Sequence, residues 1–215
     1  VFDWSAPASY QVYESHLWIP QIGITWSLGV TALGLVMILL AIGLVPLVLI
    51  AGWDEDDAAD RGAYPALVLA LQSFMVVMFA AYDLTVFYFA FEAMLVPLYL
   101  MIGRYGVGDE VARHKAAMKF LLYSLFGGLV MLGGILFLWA MGSQAAQDVS
   151  TFFRMDTLAH ILPGAPLAIQ MVIFVTFMVA FAIKAPMVPV HTWLPDTAAV
   201  ARPGPSVLLV GVLAK

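Results

Sequence analysis

Six runs of apolar residues, most of them about as long as a bilayer is thick, dominate this chain of 215 residues. They cover about 27–50, 64–82, 84–103, 118–141, about 167–195, and 206 onward. A hydrocarbon core of about 30 Å is crossed by about 20 helical residues at 1.5 Å each. Inside lipid every backbone N–H and C=O must find its partner within the protein, so such runs fold as helices. The expected class is all-α, a polytopic transmembrane helix bundle.

Composition agrees. The chain is 63% hydrophobic and 11% charged, against about 25% charged in soluble domains. It has no Cys, which excludes disulfides, thiolate-bound zinc and cysteine-ligated iron–sulfur clusters. The net charge of −5 comes largely from "DEDDAAD" at 54–60, and nothing in it points to nucleic acid. No cleavable signal pattern is present, the first residue is Val, and the last run stops after about ten residues where a span needs about 20. The sequence therefore reads as a fragment cut at both ends, with a surface segment over 1–26 and a transmembrane helical domain over 27–215.

Residues 1–26 are polar, aromatic and punctuated by Pro, too mixed to span. "YDLT" makes a tight turn between the second and third runs and puts Asp83 at an interface, as a solvated loop residue. Alternate crossings place Arg61, Arg104, Arg113, Lys115 and Arg202 on one side and Arg154 on the other. Because Lys and Arg favour the cytoplasmic side, loops 51–63 and 104–117 are expected there and the N-terminal segment outside. Trp18, Trp26, Trp53, Trp139 and Trp193 fall near span ends, as an aromatic belt does. The glycines of "FGGLVMLGG" suit close helix packing.

Ionisable residues within the apolar runs carry the chemistry. A charge at the bilayer centre costs roughly 2.5–3.5 kcal/mol on insertion scales, so one that persists there is a functional candidate. Glu92 lies eight residues after Leu84, about 12 Å down the axis and near mid-membrane. Its structural alternative is a protonated acid capping a neighbour's backbone. Pro97 frees a backbone carbonyl close by. The fifth run, Pro166 to Pro195, is 30 residues, about 45 Å as one helix and too long for the core. It must break, and "KAPMVP" writes the break, since Pro186 and Pro189 remove donors and disfavour helix before them. Broken helices at membrane depth mark ion sites in transporters. Lys184 stands at the break, with a snorkelling lysine as the alternative. Lys215 lies at similar depth in the last run. His191 is either an interfacial polar residue or a proton carrier, and Lys119 reads most simply as an interfacial anchor. One Glu and two Lys at like depth form a candidate proton relay.

"FYFAFEAMLVPLYLMIG" (87–103), "KFLLYSLFGGLVML" (119–132), "AFAIKAPMVPVHTWLPD" (180–196) and "SVLLVGVLAK" (206–215) resemble the antiporter-like subunits of proton-pumping NADH:quinone oxidoreductase, respiratory complex I. "EAMLVPLYLMIG" leans toward the subunit M branch, and "YESHLWIPQIGITWSLGV" is similar to the segment before its third helix. The resemblance implies the third to eighth of about fourteen helices, within an inverted-repeat fold. It also implies proton-path roles for Glu92, Lys184 and Lys215. Other membrane subunits of the complex and the lipid bilayer of a bacterial plasma membrane are the implied partners. NADH, FMN, iron–sulfur clusters and quinone are implied in other subunits, with no cofactor or metal in this chain. Two departures stand out: "TAAVARPGPS" lacks a His and a Glu usual after "HTWLPD", and "GVTA" lacks a usual Asp. The rival readings are a subunit of a multisubunit cation/proton antiporter, which needs no electron donor, and a non-catalytic assembly subunit.

Overall fold

The computed structural model describes residues 2–52, 62–142 and 152–213. Before the first helix the chain forms an antiparallel hairpin of β1 (Gln11–Ile19) and β2 (Ile24–Val30). The hairpin turns through Pro20–Ile22 and Gly23, whose φ of 73° suits glycine. In β2, Thr25 and Ser27 face inward. Helix α1 (Ala32–Ala51) therefore begins later than the expected 27, where Thr31 accepts from Gly34 N at 3.2 Å as its N-cap.

The remaining elements are helical: α2 (Ala63–Phe79), α3 (Leu84–Ala93), α4 (Leu95–Tyr105), α5 (Glu110–Gly142), α6 (Met155–Ile161), α7 (Leu167–Lys184), α8 (Trp193–Val200) and α9 (Pro203–Leu208). A π-helical turn, Leu209–Leu213, continues α9. Together α3 and α4 make one apolar span, Leu84–Tyr105, interrupted at Met94. Pro97 explains the interruption, since it cannot donate to the Ala93 carbonyl and its ring crowds that oxygen. α5 starts eight residues before the expected 118, because Asp109 Oδ2 accepts from Ala112 N at 3.3 Å and supports a charged first turn. The fifth apolar run is broken as expected: α7 ends at Lys184, turns occupy 185–192, and helix resumes only at Trp193.

Among the described residues, four helical stretches are long and apolar enough to cross a membrane: Ala32–Ala51, Leu84–Tyr105, Glu110–Met141 and Leu167–Lys184. Their outer faces stay apolar, with Leu33, Leu47 and Ile50 on α1 and Leu167 and Phe174 on α7 exposed. The core gathers Leu71, Met75, Met94, Leu98, Phe120 and Trp193. At one end, Gly29 N donates to Ala80 O (2.7 Å), Tyr82 N to Ser27 O (3.0 Å) and Leu84 N to Phe153 O (2.9 Å). Hairpin, α2–α3 turn and the chain before α6 are thereby joined around Arg154. At the other end Val107 N donates to Val200 O (2.7 Å), bringing the loops after α4 and α8 together.

Asp83 departs from the solvated-loop expectation. It is fully buried, caps α3 through Thr85 N (2.8 Å) and accepts from Thr25 Oγ1 of β2 (2.8 Å). A buried carboxylate needs such partners, and the hairpin supplies one.

Candidate functional site

Glu92 lies one turn before the α3–α4 interruption's far side, and Lys184 is the last residue of α7. Two proline-driven discontinuities thus present one carboxylate and one amine to the same interior. Lys184 is 7% exposed, and its Nζ stands 4.4 Å from the centre of the Phe91 ring. A cation over an aromatic face is favourably placed, the more so away from water. Glu92 and Lys184 lie close enough to act on each other electrostatically. Among the described residues neither Glu92 Oε1 nor Lys184 Nζ has a hydrogen-bond partner, although both atoms are buried. Charges act strongly across such a medium, so gain or loss of a proton at one group alters the field at the other. A structural ion pair normally has its remaining donors and acceptors filled, and among the described residues these two atoms do not.

α5 shapes the pocket. A Cβ on Gly128 would collide with the Glu92 carboxyl, so glycine there makes room for the acid. Gly127 packs on Ala180 and Ile183, and Gly134 on Thr176, which is the close α5–α7 packing expected of this glycine run. Ser124, one turn before Gly128, has a buried hydroxyl without a partner among the described residues, as does Thr197 of α8.

Trp193 corrects the belt expectation. It is 1% exposed, packs on Phe120 with ring centres 5.4 Å apart, and donates from Nε1 to Ile183 O at 2.8 Å. That bond satisfies a carbonyl in the last turn of α7, beside Lys184, where helix ends leave acceptors open. Trp53 lies outside the described residues. Lys119, read as an anchor, pairs with Asp196 at 2.7 Å, and one turn on Tyr123 OH lies 2.9 Å from Thr192 Oγ1.

Of the residues singled out in the sequence, the structure brings Glu92 and Lys184 together. His191 sits in the turn before α8, its Nδ1 buried without a partner among the described residues, and is in no described contact with either. Lys215 lies outside the described residues. Sequence reasoning missed Gly128, Ser124, Thr197 and the buried role of Trp193. The i, i+4 spacing of Ser124 and Gly128 was the available signal, on the helix face that turns toward Glu92.

Comparison with known proteins adds the lineage. NADH-quinone oxidoreductase subunit M of Mycobacterium tuberculosis (strain H37Rv) is 39% identical over 96% of this chain and 42% of its own length. NAD(P)H-quinone oxidoreductase chain 4 1 of Picosynechococcus sp. is 34% identical over 96% of this chain and 36% of its own. The chain thus spans about two fifths of the curated relatives it matches. A chain of respiratory complex I from Thermus thermophilus with bound NADH superposes with a TM-score of 0.76 at 29% identity, covering 97% of this chain and 41% of that one. A chain of the Mrp complex from Dietzia sp. DQ12-45-1b superposes with a TM-score of 0.80 at 22% identity, covering 95% and 22%, a likeness of fold. Residues 81–215, which hold both discontinuities and the Glu92–Lys184 pair, match the transmembrane family model of NADH:quinone oxidoreductase and Mrp antiporter subunits. The chain belongs to the NADH:quinone oxidoreductase/Mrp antiporter transmembrane family.

Proposed function

We propose that this chain is part of a proton-translocating membrane subunit of an NADH:quinone oxidoreductase, in which electron transfer in other subunits drives proton movement here. The observation that carries the reading is the buried Glu92–Lys184 pair at two helix discontinuities. Its identity to quinone oxidoreductase subunits of two bacteria supports the same reading. Glu92 sets the charge on Lys184, and Lys184 exchanges its proton with Lys215. His191, in the turn beyond the break, is a further carrier. The chain itself carries no redox step, and NADH, FMN, iron–sulfur clusters and quinone belong to other subunits. The end bearing Arg104, Arg113, Lys115 and Arg202 faces the cytoplasm and the hairpin end faces outward, as the basic residues favour. Adjacent membrane subunits of the complex and the lipid bilayer are its partners.

The test is Glu92→Gln in the full-length protein within its assembled complex. NADH-driven proton uptake into inverted vesicles falls about tenfold or more, the scale of about 1.4 kcal/mol in the barrier. Unchanged uptake would remove Glu92 from the path. A subunit of a multisubunit cation/proton antiporter is the second reading, supported by the fold likeness to the Mrp complex. It is favoured instead if the wild-type protein moves protons with no dependence on NADH.

A further inference from the structure

At the hairpin end, away from the Glu92–Lys184 pair, two recesses share one wall. The first, about 740 Å³, is polar and lined by Tyr10, Tyr13, Tyr82, Arg154, Asp156 and His160. The second, about 410 Å³, is an apolar groove along α7, lined by Leu138, Leu162, Ile173, Phe174, Phe177 and Phe181. Met155 and Ala159, one turn apart on α6, line both. The polar recess therefore opens beside the groove along one stripe of a short helix lying at the ends of the spans.

The dimensions and chemistry of the two halves differ in a way that specifies an occupant. The groove follows α7 from Ile173 to Phe181, about 12 Å at 1.5 Å per residue, and Phe174 and Met178 leave it open on the outside of the bundle. Its lining offers no polar partner and suits an alkyl chain. The recess carries both signs of charge. Arg154 donates to Ser15 Oγ at 3.3 Å, and its buried Nε has no partner among the described residues, so a guanidinium N–H is still to be matched by an acceptor. His160 adds a second nitrogen donor on the same wall. Three tyrosines cluster beside Arg154, with Tyr10 and Tyr13 rings 4.5 and 5.8 Å from Tyr82 and the Arg154 guanidinium carbon 5.8 Å from the centre of the Tyr82 ring. Asp156 accepts from Tyr82 OH at 2.7 Å and retains further acceptor capacity. Guanidinium and imidazole match a phosphate, whereas tyrosine faces beside a carboxylate match an ammonium.

We propose that the joined recess and groove bind a zwitterionic phospholipid of the phosphatidylethanolamine type. Its phosphate lies on Arg154 and His160, its ammonium lies between Asp156 and the tyrosines, and one acyl chain runs in the groove beside α7. The site is independent of the proton-transfer reading, because none of its polar residues takes part in that path. A bound lipid here ties the hairpin to α6 and α7 across the membrane boundary.

Photoactivatable phosphatidylethanolamine is added to the full-length protein in its detergent-purified complex, and labelled peptides are mapped by mass spectrometry. Label is expected within residues 152–162 and 167–184. Arg154→Gln is expected to lower labelling about tenfold, as loss of a charge-assisted hydrogen bond does. Because that change also removes the contact with Ser15, Ala159→Phe carries the decision: it fills the shared wall, touches no polar contact, and is expected to abolish labelling of both segments. Unlabelled phosphatidylethanolamine competes the label away, whereas phosphatidylglycerol and soluble phosphoethanolamine do not. Absence of label from both segments in the wild type, or label undiminished by Ala159→Phe, overturns the site. Equal competition by phosphatidylglycerol overturns the zwitterionic assignment, and equal competition by soluble phosphoethanolamine overturns the role of the groove.

Discussion

The Glu92 carboxyl occupies space that exists only because residue 128 has no side chain. Gly128→Ala forces a methyl group into that space. Overpacking of this kind costs typically about 1–3 kcal/mol, and here the group that must yield is the acid itself. The variant is expected to assemble and to lose NADH-driven proton uptake in the manner of Glu92→Gln. Gly133→Ala, on the same helix with nothing within 4 Å of its added methyl, is expected to pump as the wild type does. Equal behaviour of the two alanine variants in the vesicle assay would contradict this account of Gly128. Tyr82, in the turn between α2 and α3, gives a second test. Burial, then the hydrogen bond to Asp156 and the charge on that carboxylate, push the phenol up from its ordinary value near 10 to about 12. For Asp156 burial acts upward, but the Tyr82 hydroxyl, the Thr157 N–H and the Arg154 charge outweigh it, and the carboxyl is held below its usual range. A phenol with a raised folded value contributes its stability in full below pH 10, and that contribution is lost as pH rises through about 12. Tyrosinate absorbance is expected to lose one late-titrating phenol in Tyr82→Phe. An unchanged late titration would place Tyr82 in ordinary solvent.

The element that decides the site's geometry is the break after α7. Helix α7 stops at Lys184, and α8 returns so that Trp193 donates to the carbonyl preceding that lysine. Trp193→Phe keeps an aromatic ring on Phe120 but leaves Ile183 O without its donor. Leaving a buried acceptor unmatched costs about 1–3 kcal/mol, with a smaller addition for lost volume. The detergent-purified complex carrying this variant is expected to melt lower and to pump less per NADH oxidised. A melting temperature and pumping ratio both equal to wild type would show that the bond does not hold the break. The break itself is legible in the sequence, because 30 residues between Pro166 and Pro195 exceed the membrane and two prolines follow Lys184 within five positions. The return of Trp193 is not legible, since its partner is a backbone carbonyl reached only after a chain reversal. For the same reason Trp193 resembles any belt tryptophan until the turn over 185–192 is seen.

Across the whole molecule, length and hydropathy set the bundle, and long-range polar contacts set its ends. Four of the six expected runs fall on helices long enough to cross, and the second and last fall on the shorter apolar helices Ala63–Phe79 and Pro203–Val212; the four could be placed because a bilayer imposes one length on every crossing. The hairpin could not, since its inward residues, Thr25 and Ser27, are polar and read as surface until Asp83, 58 residues after Thr25, is found buried against them. Asp83 was hidden in the same way: the sequence displays a carboxylate in a turn, and only the fold supplies the hydroxyl that keeps it inside. Glu92 and Lys184 were legible from depth alone, because charge is rare where both lie, but their mutual approach depends on the packing of α3, α5 and α7. The central claim is that Lys184 carries the transferred proton, and the most direct measurement is NADH-driven acidification of inverted membrane vesicles, comparing the wild-type full-length protein with Lys184→Ala in complexes shown to assemble. The account predicts that acidification is lost in Lys184→Ala while the complex remains intact. Acidification at the wild-type level in that variant would contradict it and make Lys184 a structural residue.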